Sequence, residues 1–109
     1  GAGAAAQDDL LSTFTRCAGQ LSALMEHQHL MGTPTAGETR RQRARMVELL
    51  EAITPADQAR EVLARRIDAK MALAELLTRA TFGTEPKQAA RAAARVELHI
   101  AACNSLLLG

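Results

Sequence analysis

Residues 53–86 read ITPADQAREVLARRIDAKMALAELLTRATFGTEP. This stretch decides the fold, because it holds a stop, a long helix and a second stop. Thr54 is a good N-cap, Pro55 fits the first helical position, and Asp57 stands three residues after the cap. Ala59, Leu63, Ile67, Met71, Ala74 and Leu77 then recur in steps of three and four, the spacing of one helix face. Val62, Leu73, Leu76 and Ala80 widen that stripe, so the helix over 55–82 is expected to be the most buried of the molecule. Glu61, Arg65, Asp68, Glu75 and Arg79 gather on the other face. Gly83 reads as the stop, Thr84 as the cap of a following helix, and Pro86 falls in that helix's first turn.

Working outward, the last helix is expected to run to about Leu107 through Ala89, Ala93, Val96, Ile100, Cys103 and Leu107. Before Thr54, a helix over Glu38–Ile53 has a short apolar face, Met46, Leu49, Leu50 and Ile53, behind a polar first half, ETRRQRAR. The run GTPTAG at 32–37 separates it from a first helix over Asp8–Met31. There Leu10, Phe14, Cys17, Leu21, Leu24, Gln28 and Met31 form a seam. Short connections make sequential helices antiparallel neighbours, which gives an all-α, four-helix up-and-down bundle. The alternative is three long helices, with Pro55 only kinking one of them.

Composition agrees. The 109 residues suit one domain; 48% are hydrophobic and 23% charged, a globular balance. Phe14 and Phe82 are the only aromatics, so the core must be built from Leu, Ala, Ile, Val and Met, which favours helices over strands. A net charge of +1 creates no global field for nucleic acid or an anionic membrane. No apolar run reaches the roughly 20 residues of a membrane span. AGAAAQ, at 2–7, has the small-residue character of an export-signal cleavage region. Residues 1–6 are therefore read as a signal-peptide remnant or an expression-vector scar, mobile and apart from a single helical domain at 7–109. The first reading implies a periplasmic or secreted protein, the second leaves a cytoplasmic one open.

Candidate chemistry is sparse. Glu26 and His29 have the spacing of a bundle metal motif, but no second copy exists, and His27 and His29 point about 200° apart on a helix. His99 and Cys103 share a face that Cys17 could approach, yet a site from these three lacks a fourth ligand. Cys103 lies near a helix C-terminus, where the dipole disfavours a thiolate. No phosphate loop or nucleophile elbow is present. The expectation is a non-catalytic domain with no metal and no cofactor. Arg40, Arg41, Arg43 and Arg45 form a basic run that reads as a protein-partner surface or a solvated face. Without stacking aromatics or a helix-turn-helix pattern, nucleic acid is not expected; an intracellular module contacting nucleic acid or a protein through this run is the alternative. Arg66 and Lys70 fall inside the wide apolar arc of the third helix, either as a buried charge paired with Glu97 or Glu48 or as a binding notch. That arc is wider than a compact four-helix domain needs, which points to a partner or a homodimer.

FTRCAGQLSA at 14–23 and ACNSLLL at 102–108 resemble a small set of exported bacterial helical proteins. The resemblance implies export and paired cysteines. It implies no activity and carries over no functional residue. Independently, Cys17 and Cys103 both occupy seam positions on helices that an up-and-down bundle makes neighbours, and an even cysteine count suits an exported chain. A Cys17–Cys103 disulfide is expected; two free buried thiols are the alternative.

Overall fold

Four helices alternate in direction along the chain: α1 (Ala2–Met31), α2 (Ala36–Ile53), α3 (Ala59–Phe82) and α4 (Pro86–Leu107). The computed structural model describes residues 2–108. Alanine carries the highest helix propensity, and neither proline nor a capping side chain interrupts the chain before Gln7. Residues 2–6, expected to stand apart, accordingly continue α1. At about 1.5 Å per residue this helix runs nearly the full 47 Å length of the molecule. Gly32, at φ 67°, takes the left-handed conformation that ends it.

The break at Pro55 is complete, which rules out a kinked three-helix chain, but its chemistry differs from the expectation. The Thr54 hydroxyl donates back to the Leu50 carbonyl at 2.6 Å, so it closes α2 instead of capping α3. Pro55 is extended (φ −64°, ψ 145°), and a single 3-10 turn over Ala56–Gln58 leads into α3. At the other end of α3, Gly83 is extended rather than left-handed, and Glu85, not Thr84, holds the N-cap position of α4. Pro86 opens α4, where a missing N–H costs nothing.

The neighbour relations also differ. The backbones of sequential α2 and α3 do not approach each other, although Val62 joins Met46 and Leu50 in one core cluster; α3 lies against α1, and the ring runs α1, α2, α4, α3. Gly19 meets Arg66, Ala69 and Lys70, and His27 meets Thr81, so α1 and α3 are parallel. Their approach depends on Gly19. A Cβ there would strike the Arg66 carbonyl and stand 2.9 Å from the Ala69 Cβ. With Ala18, Ser22 and Ala23 also small and buried, α1 accepts helices on several sides. Its middle, not α3, is the most buried part of the chain.

The core forms two connected clusters. One surrounds the Cys17–Cys103 disulfide with Phe14, Leu21, Met46 and Leu50; the other holds Ala23, Leu73, Leu77 and Val96; Ile100 packs against both. The cysteine Cα atoms are 5.5 Å apart and both residues are 1% exposed. The bond therefore ties α1 to α4 from inside the core.

Candidate functional site

α2 and α3 flank α1 without close backbone approach to each other, which leaves a groove of about 210 Å³ floored by α1. Gly19 and Ser22 form the floor. Arg43 of α2 stands on one wall, and Leu63, Arg66, Ile67 and Lys70 of α3 form the other. Arg66 and Lys70, singled out in the sequence, both line this groove, and Arg43 leaves the basic run to join them.

The groove's electrostatics follow from who pairs with whom. Lys70 Nζ donates to Glu26 Oε1 at 2.7 Å, so its partner is Glu26, not Glu97 or Glu48. The reason is the ring order: the face of α3 that carries Lys70 borders α1, whereas α4 and its exposed Glu97 pack elsewhere on α3. Arg43 Nε donates to Ser22 Oγ at 2.8 Å, and Ser22 donates to the Ala18 carbonyl, which fixes the guanidinium. Arg66 has no carboxylate within 4.0 Å among the described residues. Partial burial pushes it below the ordinary arginine range; Arg43 pushes it further the same way, and Glu51 offsets part of this. Two guanidinium groups thus converge on one groove, a geometry that receives a carboxylate.

The Lys70–Glu26 pair itself adds little. Its side chains are 40% and 53% exposed, and such pairs contribute at most about 1 kcal/mol. Lys70→Gln is expected to lower stability by less than about 0.5 kcal/mol in urea unfolding. A drop of several kcal/mol would mean that the ion pair, not the Gly19 contact, holds α3 in place.

The rest of the basic run lies away from this groove. Arg45 Nη1 donates to the Leu107 carbonyl at 3.1 Å, Arg41 and Arg45 line a second groove between α2 and α4, and Arg40 is exposed. The four arginines do not form one patch. The other candidates are engaged elsewhere. Glu26 is tied to Lys70, His27 Nε2 meets Thr81 Oγ1 at 3.1 Å, and His29 is exposed. Both cysteine sulfurs are consumed by the disulfide, so neither is a thiolate nucleophile or metal ligand. Gln20 Oε1 lies 3.3 Å from Cys103 Sγ, a contact and not a hydrogen bond, because a disulfide sulfur carries no proton. Half-buried His99 lines a cleft with Arg16, Arg79, Arg95 and Glu75. No cluster of three or more His, Cys, Asp or Glu placed to hold a metal occurs among the described residues, and no described helix is long and apolar enough to cross a membrane.

Beside the groove lies the largest departure from the sequence reading. Leu63, Ile67 and Met71 of the expected core stripe are 53, 48 and 63% exposed, and Phe82 is 61% exposed. The buried face of α3 is instead Val62, Leu73 and Leu77, with Ala69 closing on Gly19. The outer face is a continuous apolar strip whose lower part forms the lip of the groove. The signal for this lay in Gly19 and its small neighbours, which select the face of α3 that approaches α1. No family model, curated protein or solved structure matches the chain.

Proposed function

We propose that this chain is a non-catalytic protein-interaction domain of an oxidising compartment, periplasmic or secreted, and that it docks its partner on the outer face of α3. One observation carries the reading. A core that is already closed leaves Leu63, Ile67, Met71 and Phe82 outside it, on one helix. Exposed apolar strips rimmed by charge characterise contact surfaces. The fixed Arg43 and half-buried Arg66 beside the strip add recognition of an acidic group. The buried disulfide supports the compartment, since such bonds persist where thiols are not kept reduced. The resemblance of 14–23 and 102–108 to exported bacterial proteins points the same way. The turning of Arg43 away from Arg41 and Arg45 favours a protein over nucleic acid, which needs a continuous basic surface.

Two measurements test this. Leu63→Gln, Ile67→Gln and Met71→Gln together are expected to cost only about 1–2 kcal/mol, because each side chain is about half in water already. Loss of cooperative unfolding would return the strip to the core. A photo-crosslinking residue at Ile67, in cells making the full chain, is expected to trap an adduct that the same residue at exposed Arg40 does not. No adduct from Ile67 would overturn the docking surface.

A further inference from the structure

We propose that the occupant of the α3 face is a second copy of this chain, with the two α3 helices side by side and parallel. This rests on reading that face as a docking surface. The argument comes from the edges of the strip. At 100° per residue, Leu63, Met71, Ala74 and Thr78 fall within about 40° of Ile67. On the side towards the groove stand Lys70 and Arg66, about 60° and 100° from Ile67. On the other side stand Glu75 and Asp68, about 80° and 100° away. Over residues 66–75 one edge is basic and the other acidic; Arg60, near the start of α3, lies about 20° from Ile67, and Arg79 follows Glu75 about 120° from it.

Three of these four edge charges are also unspent. Among the described residues the only ion pairs within 4.0 Å are Glu61 with Arg65 and Lys70 with Glu26. Asp68, Glu75 and Arg66 have none. When two helices pair in parallel, each presents its left edge to the other's right edge; in an antiparallel pair, like edges meet. A parallel pair therefore sets Asp68 and Glu75 of each copy against Arg66 and Lys70 of the other. An antiparallel pair would set acid against acid and base against base. The parallel arrangement has a two-fold axis along the helices, so it closes at two copies.

The area suits a reversible dimer. Four large side chains about half exposed offer on the order of 400 Å² of apolar surface per copy, and a standard interface buries about 800 Å² per partner. The charged edges supply much of the difference. Such an interface lies at the small end, where complexes form and part, and association is expected on the order of tens of micromolar. It should weaken as salt screens the edges.

The test is sedimentation equilibrium of the full chain over a concentration series, with wild type, Asp68→Lys/Glu75→Lys, and Ile67→Asp. Asp68, Ile67 and Glu75 are exposed, and thermal melts check that each variant folds. Wild type is expected to dimerise. Asp68→Lys/Glu75→Lys, with both edges basic, should weaken the dimer at least tenfold, and Ile67→Asp should abolish it. Mixing the doubly basic variant with Arg66→Glu/Lys70→Gln, whose edges are both acidic, should restore association. A wild type that stays monomeric overturns the second copy. In that case an adduct of another mass from Ile67 in cells would still sustain the docking surface, whereas no adduct removes both. A dimer that Asp68→Lys/Glu75→Lys leaves unchanged overturns the parallel α3 pairing.

Discussion

Gly19→Leu is expected to unseat α3 from α1 and remove about 3 kcal/mol or more of stability. The obstacle is backbone, not a side chain that can rotate away. A Cβ on residue 19 meets the Arg66 carbonyl oxygen and stands 2.9 Å from both the Lys70 nitrogen and the Ala69 Cβ. The helices must separate, and separation opens the packing of Leu73 and Leu77 on Ala23 one turn further on. Gly19→Ala is the more searching variant. In an isolated helix alanine is favoured over glycine by about 1 kcal/mol. Overpacking a tight contact costs about 1–3 kcal/mol, so a net loss is expected even here. Urea unfolding with an unchanged slope would measure it. A Gly19→Ala protein more stable than wild type would show that α1 and α3 do not approach as described.

Removing the disulfide is expected to have a similar or larger effect. Cys17 and Cys103 are 86 residues apart. Closing a loop of that length restricts the unfolded chain by about 4–5 kcal/mol in the chain-entropy treatment, and measured losses run at about 2–5 kcal/mol. Against a typical stability of about 5–15 kcal/mol, that is a large share. Cys17→Ala/Cys103→Ala avoids placing hydroxyls where both residues are 1% exposed. It should lower the melting temperature by on the order of 10 °C or more. Alkylation of unreduced, denatured protein should label neither cysteine; labelling of both would end the assignment and weaken the case for export with it.

The helices were legible because their stops are chemical. GTPTAG, the Thr54–Pro55 pair and Gly83 interrupt otherwise continuous helix formers, and no packing is needed to see them. The cysteine pair was legible because both residues sit on apolar seams. The partner of each face was not. On α3 two overlapping stripes, one through Leu63 and Ile67 and one through Val62 and Leu73, are both apolar, and periodicity alone cannot rank them. The choice is made by α1, where Gly19 admits the Ala69 side of α3 and a side chain at that position would not. The notch was half legible. Arg66 and Lys70 stood out as charges in an apolar arc, but the contribution of Arg43 and Glu26 depends on which helices adjoin, and the ring order departs from sequence order.

The disulfide also decides how the molecule bears tension. A pull that enters before Cys17 and leaves after Cys103 takes the shortest covalent route, across the sulfur–sulfur bond. The backbone between the two cysteines, which holds all of α2 and α3, then lies on a slack side loop. Force can peel the start of α1 and the end of α4, and there it halts. The outer face of α3 keeps its shape under a load that would draw an uncrosslinked bundle out into a thread.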